Sequence, residues 1–235
     1  FMTAGEIIPK VTGKTWAQFI RERIFEPLNM NHSIALTSEM EAQPNRASAH
    51  TVQEGVLKKI PYGHIDNLAP AGSIASSASD LSKWVIMQLS NGAYKDKVVI
   101  PAGAIGQTRT PASILGNGGH MYNKGHFALY GLGWFLEEYV GRKIVSHTGG
   151  VNGFVTSVTL IPEEKLGVIV LTNTDANSFY EALKWEIVDA YLNLPYRNYS
   201  KVYKGFADED NKQAQALLQR ERDTIATHPV TTVPD

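Results

Sequence analysis

Hydrophobic positions recur at helical spacing in the first part of the chain. The segment MTAGEIIPKVTG predicts a short helix that ends at Gly13. Thr15, with Gln18 three residues later, matches the capping-box pattern and predicts the start of a second helix. The segment SASDLSKWVIMQLSNG predicts a further helix, with Ser77 at its N-cap and Gly92 at its end.

From Tyr130 onward the pattern changes to that of β-strands. The segments YGLGWFLEE, KIVSHTGG and GFVTSVTLIPEEKLGVIVLTN predict successive strands joined by short turns. Apolar and polar residues alternate from Phe154 to Leu160, which predicts an outer or half-covered strand. LGVIVLTN is apolar at nearly every position, which predicts a central strand. A helix from Ser178 to about Leu192 is predicted to cover the sheet with its broad apolar face.

Two stretches carry little periodicity. Residues 31–70 are predicted to be irregular, and residues 98–127 are predicted to hold one short helical piece and a loop rich in glycine, asparagine and histidine. From Pro195 the chain turns polar and charged, which predicts a linker with one solvated helix, followed by the tail HPVTTVPD. The order of elements predicts an α+β fold, with one domain over residues 1–194 and a linker over 195–235.

Composition narrows the classes of partner. The chain has 22 Lys and Arg against 23 Asp and Glu, a balance that argues against a nucleic-acid surface or an electrostatic membrane anchor. No apolar run is long enough to span a membrane. With no cysteine, disulfides and thiol catalysis are excluded.

The strongest candidate for chemistry is His147-Thr148-Gly149-Gly150, at the end of a β-branched run. Glycines let a ligand approach backbone N–H groups, and the threonine hydroxyl and imidazole can both donate hydrogen bonds to a carboxylate or carbonyl. Taken alone, the tetrapeptide favours a plain strand-end turn with an exposed histidine.

Other candidates are weaker. His120 and His126 match no zinc spacing, so no metal site and no cofactor are predicted. The serines of AGSIASSASDL fit helix capping, and no G-x-S-x-G elbow surrounds them. No lysine has a serine three residues before it, so the chain contains no S-x-x-K motif. Tyr-x-Asn occurs at Tyr191 and Tyr196, in places that suggest chance matches.

Five segments that follow one another along the chain are together a more specific sign of a protein family than any one segment alone. GEIIPKVTGKTWAQFIRERIFEPLNMNHS, LAPAGSIASSASDLSKWVIMQLSNG, YGLGWFLEE, HTGGVNGF and PEEKLGVIVLTN resemble the serine β-lactamase-like family. That family includes class C β-lactamases, D-Ala-D-Ala carboxypeptidases, related esterases and D-aminopeptidases. The resemblance runs from residue 1 to about 193 and implies part of a β-lactamase-like, or transpeptidase-like, fold.

The resemblance assigns roles to the tetrapeptide. In the family an S-x-x-K serine is acylated, its lysine and the tyrosine of Tyr-x-Asn shuttle protons, and a Lys/His-Thr-Gly strand flanks the acyl group. His147 would be the cation or hydrogen-bond donor of that strand. Thr148 would offer a ligand-facing hydroxyl, and Gly149 and Gly150 would line the oxyanion-binding backbone, with the N–H of Gly150 in the hole. Histidine in place of lysine resembles the peptidase and esterase branches.

The missing motifs imply a C-terminal part of a catalytic domain, with Tyr-x-Asn falling just before Phe1. One hypothesis is therefore a piece of a periplasmic or secreted serine hydrolase that cleaves a peptide, lactam or ester. The other is a non-catalytic module of the same fold that binds a peptide or a peptidoglycan stem. If the chain is such a piece, the resemblance implies that the family's N-terminal segment is missing from the sheet. The exposed sheet edge and apolar faces then predict self-association by dimerisation or strand exchange.

Overall fold

The computed structural model describes residues 1–53 and 55–227. The chain divides into two compact units, Phe1–Ala176 and a second that begins at Asn177. Seven α-helices are described, in chain order: α1 Met2–Thr12, α2 Trp16–Ile20, α3 Ala69–Gly72, α4 Ala78–Leu89, α5 Ala102–Thr108, α6 Phe179–Tyr191 and α7 Tyr199–Thr227. Ten strands are described: β1 Ala49–Gln53, β2 Val56–Ile60, β3 Ala93–Tyr94, β4 Lys97–Val98, β5 Ser113–Gly116, β6 Ala128–Tyr130, β7 Phe135–Tyr139, β8 Arg142–Val151, β9 Phe154–Ile161 and β10 Leu166–Thr172.

The helix boundaries predicted from sequence are formed by the expected caps. Helix α1 ends at Gly13, which adopts a left-handed φ of 70° and donates its N–H to Pro9. Thr15 accepts from the Gln18 amide while the Gln18 side chain accepts from the Thr15 amide, so the capping box is present. The Ser77 hydroxyl caps α4 by accepting from the Asp80 amide.

The sheet is an antiparallel meander of six strands in the order β10-β9-β8-β7-β6-β5. Helix α4 packs against β10, and Val85 occupies the space over Gly167 that a side chain would fill. The core between helix and sheet contains Val85, Trp134, Val145 and Leu160, all buried. A second core lies within the helical region and includes Phe25, Leu28, Met30, Met87 and Ile105. The predicted α+β fold is therefore confirmed.

The predicted positions of the last two strands were wrong. Strand β9 lies between β8 and β10, and its polar residues Ser157 and Thr159 are buried, whereas β10 pairs with β9 alone among the described strands. A short apolar run does not distinguish a central strand from a covered edge strand. The alternation of apolar and polar residues along β9 predicted that its polar side faces solvent, but Ser157 and Thr159 on that side are buried.

Three further segments differ from the expectation. Within residues 31–70, predicted to be irregular, β1 and β2 form a hairpin, and β5 lies in the predicted loop. YGLGWFLEE is two strands, because residues 131–134 make the turn between β6 and β7. In that turn Gly133 has a φ of 86°, which glycine tolerates and which a regular strand does not use.

The second unit contains α6 and α7. Tyr199 donates its hydroxyl to the Asp189 carboxylate at 2.7 Å, and both residues are buried. Most of α7 is exposed to solvent, as expected for the polar C-terminal segment. The tail HPVTTVPD lies outside the described residues, and the predicted boundary at residue 194 remains a prediction. No helix in the described ranges is both long and apolar enough to cross a membrane.

Candidate active site

The predicted site residues lie together at the end of β8. Pairing between β7 and β8 stops at Phe135 and Ser146, while β8 continues along β9 as far as Val151. The backbone from His147 to Gly150 therefore has β9 on one side and no described strand on the other. Thr148, Gly149 and Gly150 are exposed, and His147 is half-buried. Such a strand edge offers backbone groups to an extended ligand.

Both ring nitrogens of His147 have polar neighbours. Nδ1 lies 2.6 Å from the carbonyl oxygen of Thr148, and Nε2 lies 3.0 Å from the hydroxyl of Tyr130. The ring also contacts Phe135, with the two ring centroids 5.3 Å apart. The side chain is thus held by a tyrosine and a phenylalanine from the two ends of the β6–β7 turn.

Tyr130 is a residue of this site that no sequence motif predicted. Burial raises the pKa of the Tyr130 phenol above its ordinary value, so the hydroxyl stays protonated at neutral pH. The available signal was the Gly-Leu-Gly-Trp segment, which follows Tyr130 directly. Interpreted as a hairpin turn, it would have placed Tyr130 opposite Phe135 and both near β8.

The turn after the site is anchored by the β1–β2 hairpin. His50 donates its amide to the carbonyl of Gly153, and the Gly153 amide donates to the Asp175 carboxylate at 2.9 Å. Hydrogen bonds from the Thr51 side chain and the Gly153 amide hold the pKa of Asp175 below its ordinary value. Tyr62 stacks on Phe154 at 6.3 Å. These contacts fix where β8 ends.

A cavity of about 430 Å³ opens beside the strand edge. Its wall includes His147, Thr148 and Gly149 on one side and mainly apolar side chains elsewhere, among them Trp84 and Trp134. The two tryptophan rings stack at 5.6 Å. Thr156 Oγ1 lies 2.9 Å from the position that a Cβ of residue 149 would occupy, so glycine leaves the wall open there.

The weaker candidates lie elsewhere. His120 packs edge-on against Tyr139, and His126 is exposed in the loop before β6. In the part of the chain that the structure describes, no group of three potential metal ligands is found. Ser73 donates to the carbonyls of Ala35 and Ala69. The serines near α4 thus serve hydrogen bonding and capping within the helical region.

Comparison with known proteins identifies the fold family. The family model described as Beta-lactamase matches residues 1–192. The chain belongs to the β-lactamase family. The resemblance inferred from the five ordered segments is thereby confirmed.

Several curated proteins are similar to this β-lactamase-family chain. Unguisins hydrolase of Aspergillus campestris is 26% identical, over 97% of this chain and 42% of that protein. Penicillin-binding protein 4 of Amycolatopsis lactamdurans is 26% identical, over 78% of this chain and 48% of that protein. The D-alanyl-D-alanine-carboxypeptidase/endopeptidase AmpH of Escherichia coli is 25% identical, over 83% and 49%. The chain spans less than half the length of each of these relatives.

Solved structures agree with the family. The octameric penicillin-binding protein homologue from Pyrococcus abyssi superposes with a TM-score of 0.66 at 26% identity, over 81% of this chain and 40% of that one. The D-amino acid amidase from Ochrobactrum anthropi gives a TM-score of 0.60 at 20% identity, over 81% and 55%. The second likeness supports the fold alone.

Proposed function

We propose that this chain forms the β-strand wall of the active site in a β-lactamase-related serine hydrolase. The observation that carries the proposal is the open edge of β8, which exposes Thr148, Gly149 and Gly150 beside a cavity that His147 also lines. An acyl group lying along this edge would meet backbone donors on one side and an imidazole at its end. The acylated serine would be supplied by sequence outside this chain, since no S-x-x-K occurs within it.

The reaction would proceed in two steps, acylation of the serine and hydrolysis of the acyl-serine. The serine oxygen attacks the carbonyl carbon of an amide or ester, and the amine or alcohol leaves with the serine proton. Water then attacks the acyl-serine, releases the acid and returns the proton to the serine. The N–H of Gly150 would stabilise the negative charge that develops on the carbonyl oxygen in both steps, and the Thr148 hydroxyl would orient the substrate.

The relatives suggest the substrate class. Their names refer to penicillin binding, to D-alanyl-D-alanine cleavage and to hydrolysis of unguisins. We therefore propose an amide or ester substrate, such as a D-amino-acid peptide or a lactam, and a periplasmic or secreted location. The identity of the substrate depends on side chains that vary within one fold.

Two experiments test the proposal. The 235-residue chain should form no stoichiometric adduct with a fluorophosphonate or a labelled penicillin, and an adduct would contradict it. The chain extended with its upstream gene sequence should hydrolyse p-nitrophenyl esters, and His147→Ala should lower kcat/KM by about 10²-fold. His126→Ala is the matched control, because this histidine is exposed in the loop before β6 and does not line the cavity.

The outcomes separate the two hypotheses. Equal activity of the His147→Ala and wild-type proteins would remove His147 from the site. An extended protein that binds a peptide or peptidoglycan stem but forms no acyl adduct would instead support the non-catalytic module.

A further inference from the structure

The contacts of His147 determine which ring nitrogen carries the proton. A carbonyl oxygen can only accept a hydrogen bond, so the 2.6 Å contact with Thr148 requires the proton on Nδ1. In the neutral ring Nε2 is then an acceptor, and the partner at 3.0 Å must donate to it. Tyr130 provides that donor through its phenolic O–H.

We propose that Tyr130 is a positioning residue for His147. The Thr148 carbonyl fixes the Nδ1–H tautomer, and the Tyr130 hydroxyl, bonded to Nε2, holds the ring in one orientation beside the cavity. The proposal builds on the function assigned above, because it concerns the same histidine. Nε2 is then the ring nitrogen without a proton, and it faces the Tyr130 hydroxyl.

A tyrosine suits this position because its hydroxyl both donates and accepts. When His147 is neutral, Tyr130 donates to Nε2. When the ring is protonated, Nε2–H donates to the Tyr130 oxygen and Nδ1–H still donates to Thr148. The same two partners therefore satisfy both charge states, and the ring keeps its orientation through a proton transfer.

The geometry around Tyr130 supports a fixed role. Its ring packs edge-on against Phe135 with centroids 4.9 Å apart, and Phe135 in turn contacts the His147 ring. Tyr130 lies opposite Phe135 in the β6–β7 pairing, so the backbone of the sheet holds the phenol in place. Aromatic packing by Phe135 alone would orient the ring without a hydrogen bond to Nε2, and this is the alternative that must be distinguished.

Nitrogen-15 NMR of histidine-labelled protein makes the distinction in the 235-residue chain. The His147 signals are assigned from their loss in His147→Gln, and the spectra are recorded at a pH where imidazole is neutral. We expect a pyrrole-type Nδ1 and a pyridine-type Nε2 in the wild type. In Tyr130→Phe the Nδ1–H form should persist, because the Thr148 carbonyl still accepts from it, and the Nε2 signal should move downfield, as expected for a pyridine-type nitrogen that has lost its hydrogen-bond donor.

Tyr94→Phe is the matched control, because it removes a phenolic hydroxyl in the same unit from the β3–β4 hairpin, which is not part of the six-stranded sheet, and it should leave the His147 signals unchanged. Thermal unfolding of both variants checks that the fold is retained. An Nε2–H form in the wild type, or identical His147 signals in Tyr130→Phe and wild type, would overturn the proposal. The readout requires no turnover, so it is independent of whether His147→Ala loses activity in the extended protein.

Discussion

At the scale of the residue, Asp80 shows how one buried carboxylate ties two parts of the helical region together. It accepts hydrogen bonds from the His32 amide at 2.7 Å, from the Ser33 hydroxyl at 3.0 Å and from Lys83 at 2.8 Å. Burial alone would raise the pKa of Asp80, but these hydrogen bonds and the charge of Lys83 outweigh it, so the pKa lies below its ordinary value.

We expect Asp80→Asn to lower the free energy of unfolding at pH 7 by about 2 kcal/mol, because the buried amide leaves charged and polar partners poorly satisfied. Because the folded pKa is lowered, the contribution of Asp80 is full above the unfolded value of about 3.9 and is lost as pH falls through the folded value. Urea unfolding at pH 7 and at a pH near 3 should therefore show the gap between wild type and variant narrowing.

Asp96→Asn serves as the control, since Asp96 is exposed and its left-handed φ of 61° suits asparagine. It should change the stability by only a few tenths of a kcal/mol. A gap for Asp80→Asn that is equally large at both pH values would show that the ionised carboxylate does not supply the stability.

At the scale of the element, the β8–β9 hairpin depends on its contact with the β1–β2 hairpin. Gly153 in the turn has a φ of 83°, and a Cβ there would overlap Ala49 and lie 2.8 Å from the His50 amide nitrogen. Both backbone conformation and space therefore require glycine at this position. The end of the candidate site is built by two segments that are distant in sequence, 49–53 and 142–151.

Gly153→Ala and Gly141→Ala separate these two requirements. Gly141, in the β7–β8 turn, has a similar φ of 72°, but no atom lies within 4 Å of the position that its Cβ would take. We expect Gly141→Ala to cost about 1 kcal/mol of unfolding free energy from backbone strain, and Gly153→Ala to cost about 1–3 kcal/mol more from overlap. Chemical denaturation measures both. Equal losses would mean that the β1–β2 hairpin moves away from residue 153 at no cost in unfolding free energy.

At the scale of the whole molecule, the six-stranded sheet ends at two outer strands among the described residues, β5 and β10. All four residues of β5 are exposed, and Ile114 is 76% exposed. A strand edge with apolar side chains favours pairing with another chain. We propose that the predicted self-association of the chain occurs through the β5 edge.

We expect light scattering to show concentration-dependent dimers of the 235-residue chain, and Ile114→Lys to weaken the dimer, because a charge on an edge strand opposes pairing. Val98→Lys is the control: Val98 is equally exposed, at 76%, but belongs to the separate β3–β4 hairpin. A monomer at all concentrations, or equal weakening by both variants, would contradict the assignment to β5.

Local sequence determined the features that depend on neighbouring residues. The Thr15–Gln18 capping box, the end of α1 at Gly13 and the Ser77 cap of α4 follow from side chains within a few positions of each other. The β-lactamase family was recognisable because five such local segments occur in order. His147, Thr148, Gly149 and Gly150 could be singled out for the same reason, as one contiguous stretch of strand.

Tertiary structure decided what depends on residues distant in sequence. Which of β9 and β10 is the inner strand depends on the strands with which each one pairs. Ser157 and Thr159 are buried although both are polar, so their residue types alone could not predict it. The β1–β2 hairpin forms where its own sequence predicts irregular structure, and it packs against the turn at Gly153. Tyr130 meets His147 only because a four-residue turn and two strand pairings bring them together, 17 positions apart.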